Sequence, residues 1–109
     1  EIGRALEEFQ HSQRNPQRKL SSMVYMGRCF NSMGRYDMAI EQFEGALSEM
    51  KIMDKEKMKA VYYEGLTYEA MGEVEKALDC FKQIYAVNVS YLDVADRINQ
   101  YYEQKKQNA

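Results

Sequence analysis

The chain has 109 residues, 45 % hydrophobic and 29 % charged, a balance that excludes a disordered segment and allows one domain with a core of its own. Fifteen basic and 17 acidic residues leave a net charge of −2, so composition gives no basic footprint for nucleic acid. No apolar run approaches the ~20 residues that span a bilayer, and Cys29 and Cys80 have no His or Cys neighbours with which to hold a metal.

In chain order, Ile2, Ala5, Leu6 and Phe9 fall at i, i+3, i+4 and i+7 and predict one apolar helical face, in a helix over residues 1–14 that Asn15-Pro16 ends. A second helix over 17–33 places Leu20, Met23, Gly27 and Phe30 inward and stops at Gly34, because glycine tolerates the left-handed cap. The third, over 37–51, turns Ala39, Ile40, Phe43, Ala46, Leu47 and Met50 inward. The charged stretch 51–57 reads as a turn around Asp54. A fourth helix over 55–71 carries Met58, Val61, Gly65 and Tyr68 inward and ends at Gly72. The fifth, over 74–87, carries Ala77, Leu78, Phe81 and Ile84, with Asn88 as its cap. Ser90 to Asp93 has the spacing of a capping box, and opens a last helix over 91–105 with Leu92, Ala95, Ile98 and Tyr102 inward.

The pattern repeats. Ala5 to Ala39 and Phe9 to Phe43 are 34 positions apart, while Gly27 to Gly65, Ala39 to Ala77 and Phe43 to Phe81 are 38 apart. A period of this length, with a small residue in a first helix and Ala, Phe, Ala in a second, resembles the tetratricopeptide repeat. The resemblance implies an all-α, right-handed α-α superhelix. Its parts would be a half repeat over 1–14, full repeats over 17–51 and 55–88, and a C-terminal capping helix over 91–105. Packing accounts for the small residues: Gly27 and Gly65 remove a Cβ where the partner backbone is expected to pass. Ile84 replaces the usual alanine, and the proline that often closes a repeat is missing from both. Asn99 stands where the two glycines stand, which suits a helix against which no further helix packs.

The resemblance implies that the first (A) helices line a concave face that holds an extended peptide or a partner helix. Carried over position by position, the groove residues are Tyr25, Arg28, Asn31 and Ser32, then Lys59, Tyr62, Tyr63, Leu66 and Glu69, then Asp93, Asp96, Arg97, Gln100 and Glu103. Tyrosines suit such a surface, since they bury much area behind a polar tip. A second reading stays open for Tyr25 and Tyr62, as packing between neighbouring A helices. One subset of the family clamps the terminal carboxylate of chaperone tails with lysine and asparagine. This chain has Val24, Arg28 and Tyr63 at those places, so that ligand is not expected.

No nucleophile, base or metal set assembles, and no cofactor and no enzyme activity are expected. His11, the single histidine, sits among polar residues, and the pairs Glu7-Glu8, Glu73-Glu75 and Asp93-Asp96 read as solvated faces and helix starts. Of the eight methionines, Met23, Met26, Met50 and Met58 fall at core spacing. The expected partner is a protein or peptide, with no nucleic acid and no membrane insertion. A competing function is self-assembly, in which the uncapped face of Ile2, Leu6 and Phe9 packs on a second copy. The chain opens within a helical pattern without an initiator methionine and reads as a piece of a longer protein, bacterial in the style of residues 91–98, with cytoplasm the favoured compartment for two free cysteines.

Overall fold

Asn15 and Pro16 start the first described helix. Asn15 is extended, as the residue before a proline must be, and its side-chain oxygen accepts from the backbone N–H of Gln17 at 3.1 Å and of Arg18 at 3.2 Å. The computed structural model describes residues 15–108. Among them are five helices and no strand: α1 (Pro16–Ser32), α2 (Tyr36–Leu47), α3 (Lys55–Met71), α4 (Val74–Tyr85) and α5 (Val94–Gln107).

Both sharp turns are glycine caps. Gly34 and Gly72 have φ of 77° and 81°. Behind them the N–H of Arg35 reaches back to the carbonyl of Phe30, and that of Glu73 to Tyr68, each at 2.9 Å. These bonds satisfy carbonyls that the helix ends would otherwise orphan. Each hairpin, α1–α2 and α3–α4, closes on itself, and α2 packs on α3 to join them. The first (A) helices α1 and α3 approach within 8 Å, Cα to Cα, whereas the second (B) helices α2 and α4 do not. The stack therefore curves towards its A helices, which gives the superhelix a concave A side.

Among the described residues, two core clusters follow the hairpins. One gathers Val24, Met26, Phe30, Ala39, Phe43, Ala46 and Ala60; the other gathers Val61, Tyr62, Ala77, Cys80, Phe81, Ile84 and Val94. Leu47 and Tyr63 pack against both and tie them together. The glycines serve a different neighbour from the one expected. A Cβ on Gly27 would stand 2.6 Å from the ring of Phe43, and one on Gly65 would stand 2.7 Å from the ring of Phe81. The missing Cβ makes room for a phenyl ring rather than for backbone. Met26 is buried, and Met23, Met50 and Met58 are half-buried against the clusters.

Several boundaries depart from the sequence reading. Helix α2 ends at Leu47, four residues early, as Glu49 and Met50 bond back to Ala46 and Leu47 in turns. Helix α4 ends at Tyr85, and Asn88 caps no helix: its side chain accepts from the N–H of Ser90 at 3.0 Å, inside a turn. The largest correction concerns α5. It begins at Val94, because Leu92 adopts φ 41°, a left-handed conformation uncommon for a leucine. Leu92 is 66 % exposed rather than inward, and Val94, fully buried, fills that place. The capping box does not form, since Asp93 makes no side-chain cap bond. Tyr102, also expected inward, is 47 % exposed.

Candidate interaction groove

Contacts link six of the expected groove residues in series, from Arg28 through Tyr63, Tyr62, Asp93 and Arg97 to Glu69. Arg28 on α1 lies over the ring of Tyr63 on α3, with its guanidinium carbon 4.5 Å from the ring centre. This contact spans the two repeats. Tyr25, one turn before Arg28, is 42 % exposed, while Arg28, Asn31, Tyr63 and Leu66 are half-buried and Lys59 is exposed. Half-buried aromatic and aliphatic groups beside exposed charge make a surface that is already formed, with side-chain entropy partly spent.

Tyr62 takes the packing alternative. It is 9 % exposed, and its ring sits 5.8–6.0 Å from those of Tyr63, Phe81 and Tyr91. Its hydroxyl donates to Asp93 at 2.6 Å. Asp93 also accepts from Arg97 Nε at 3.0 Å, and Arg97 Nη1 reaches Glu69 at 2.5 Å. A polar strut thus runs from α3 to α5. Burial alone would raise the Asp93 carboxyl, yet the bonds from Tyr62 and Arg97 outweigh it and hold the group below its ordinary value. Burial, followed by the bond to Asp93, pushes the Tyr62 phenol up. Arg97, expected in the groove, is neutralised by two carboxylates.

A second polar group lies inside the stack. Glu64 on α3 is 5 % exposed, with Cys80 Sγ 3.6 Å from Oε1 and no hydrogen-bond partner for Oε2. Burial first, and then the neighbouring Glu44 carboxyl from α2, push its pKa up to about 8. Burial and the Glu64 charge push the Cys80 thiol up as well, and Tyr68 up to about 12. Cys80 is a buried free thiol and Cys29 a half-buried one. A thiol so disfavoured as thiolate is no nucleophile, and among the described residues no group of His, Cys, Asp and Glu is arranged to hold a metal.

The sequence reading named Asp93, Glu69 and Arg97 separately but not as one strut, and it missed Glu64 and Tyr91. Tyr62 and Asp93 are 31 positions apart, and Arg97 and Glu69 are 28 apart, so no local spacing signals either pair. Among the described residues, two hollows lie elsewhere. One is at the helix starts, lined by Gln17, Leu20, Met50, Ile52 and Asp54, and the other is at the turn edge, lined by Arg35, Tyr36, Met38, Ala70 and Met71. Neither includes the Arg28–Tyr63 contact. Ile2, Leu6, Phe9 and His11 lie outside the described residues.

The architecture defines a helical repeat protein: two stacked hairpins of matching pattern, and a further helix. The tetratricopeptide repeat matches residues 21–49 and 59–86, more than half of the chain. Those spans begin within α1 and α3 and end at the close of α2 and α4, so each covers one hairpin. The chain belongs to the tetratricopeptide repeat family. Repeats of this family generally mediate protein–protein interaction and are typically non-catalytic. No curated protein and no solved structure matches the chain. Among the described residues no helix is long and apolar enough to cross a membrane.

Proposed function

We propose that the chain is a non-catalytic interaction module that holds a peptide or partner segment on the concave side of its A helices. The contacts would come from Tyr25, Arg28, Asn31, Lys59, Tyr63 and Leu66, with Arg97 bounding the groove towards α5. The observation that carries the reading is the Arg28–Tyr63 stack, a preformed, half-buried aromatic and cationic surface across two repeats. Tyr62 supports this surface from beneath and offers a ligand little area. Two free cysteines, both at least half-buried, fit a reducing compartment, and cytoplasm is part of the proposal.

The test compares proteins recovered from a lysate by the chain and by a Tyr25→Ala/Tyr63→Ala variant whose helical melt is unchanged. Partners recovered by the chain and lost with the variant support the groove. Equal recovery by both sinks it.

A further inference from the structure

The net charge of −2 conceals a segregation of charge between the two sides of the first repeat. Helix α1 carries Arg18, Lys19 and Arg28 and no acidic residue. Helix α2 carries Asp37, Glu41 and Glu44 and no basic residue. The A side is thus cationic and the B side anionic. Arg18 lies seven positions before Tyr25 and shares its stripe on α1; Lys55 lies four positions before Lys59 and shares its stripe on α3. Arg18, Lys55 and Lys59 are exposed.

None of Arg18, Arg28, Lys55 and Lys59 forms an ion pair among the described residues, where both ion pairs belong to Arg97. The contrast within one groove is informative. At its α5 end the guanidinium is neutralised twice, by Glu69 and Asp93. At its α1–α3 end four cations flank Tyr25 and Tyr63, and none of them is ion-paired among the described residues. Cations gathered beside aromatic surface and left unpaired are complementary to a ligand that brings carboxylates together with apolar side chains.

Building on the groove reading, we propose that the segment held on α1 and α3 is an acidic peptide, its carboxylates on Arg28 and Lys59 and an apolar side chain against Tyr63. Recognition is of internal side-chain carboxylates and does not need a free chain end. Acid in place of phosphate is favoured because Glu56 and Glu69 also stand on α3 and Asp93 and Asp96 close the groove at α5, so the cationic stretch is too short for a polyanionic backbone to follow.

The probe is a fluorescein-labelled peptide of about ten residues, long enough at ~3.3 Å per residue to cross both A helices. It alternates glutamate and leucine and is blocked at both ends. Its lysine–leucine counterpart and a single-stranded oligonucleotide of similar length are the controls. Anisotropy should report binding of the glutamate peptide at least about tenfold tighter than either control, weakening as salt is raised towards physiological strength. The Arg28→Glu/Lys59→Glu variant, with an unchanged helical melt, should lose that binding by about tenfold or more, as each reversal places like charge against the ligand. Equal binding of the lysine peptide, tighter binding of the oligonucleotide, or full affinity in the variant would overturn the proposal. Amide shift mapping separates the two levels. A basic peptide that perturbs Tyr25 and Tyr63 leaves the groove standing and removes the acidic ligand, whereas a glutamate peptide that perturbs only α2 and α4 removes the groove itself.

Discussion

Between α1 and α3 the backbones approach within 8 Å, Cα to Cα, and Arg28 lies on Tyr63 at 4.5 Å. Between α3 and α5 no such backbone approach occurs, and the gap is crossed by side chains, Tyr62 to Asp93 to Arg97 to Glu69. Apolar packing makes the first joint. The second leans on the α4 side of α5, where Val94 and Ile98 pack with Phe81 and Ile84, and on a polar strut. The first joint should therefore be indifferent to salt and the second responsive to it, because exposed or half-exposed ion pairs are screened.

The rings that fill the glycine notches offer the strongest way to sharpen this contrast. Phe43 and Phe81 are both almost wholly buried. Replacing either by Ala should cost about 3–5 kcal/mol in urea unfolding. Only Phe81→Ala should also raise hydrogen exchange in α5, since Phe81 touches Tyr62 and lies beneath Arg97. Equal α5 exchange in the two variants would break the distinction between the joints.

Glu64 comes next, and its sign follows from linkage. Its folded pKa of about 8 lies above the unfolded value of 4.5, so the folded state holds the proton through a window in which the unfolded state has released it. Its contribution is fully present below pH 4.5 and is lost progressively as pH rises to about 8. Glu44 from α2 opposes its charge, while the Cys80 thiol from α4 donates to the carboxylate and partly offsets that push; the Tyr68 phenol on α3 stays neutral throughout this window. Glu64→Gln should flatten that slope and stabilise the fold by on the order of 2 kcal/mol at pH 8. Melts at pH 5 and pH 8 check it, and an unchanged slope in the variant would refute the assignment. Asp93 has the opposite sign: its lowered pKa gives stability that is lost only as pH falls below its unfolded value of 3.8, outside the Glu64 window.

The strut itself should matter less. Arg97→Ala is expected to cost ~0.5–1 kcal/mol, discounted for its partial exposure, and to raise α5 exchange at low salt while leaving α1 to α3 unaffected. The smallest effect belongs to Arg28→Ala, about 0.5 kcal/mol through the lost stack on Tyr63, with no salt dependence of stability. A loss above about 2 kcal/mol there would mean that the α1–α3 joint depends on that cation more than on its packing.

Much of this was legible in the sequence because the repeat is local. Gly34 and Gly72 announce their positive φ, and Ala39, Phe43, Ala77 and Phe81 keep helical spacing, so hairpins and core faces could be read directly. The start of α5 was not legible. Ser90 to Asp93 has the spacing of a cap, but Asp93 is taken by Tyr62 and Arg97, and a left-handed Leu92 delays the helix. Local propensity lost there to a tertiary bond. Tyr62 illustrates the same limit: its stripe position fits groove and core alike, and only the ring of Tyr91 and the carboxylate of Asp93, both distant in sequence, place it in the core. The charge segregation of α1 and α2 was present in the sequence and hidden by the net charge, which averages over helices that face opposite ways.

The most direct test of the interaction face uses a photo-crosslinking phenylalanine analogue, placed either at Tyr25 on the A side or at Glu41 on the B side, in source-cell lysate. The account predicts discrete protein adducts from position 25 and none of the same size from position 41. Adducts from position 41 alone, with position 25 silent, would contradict it.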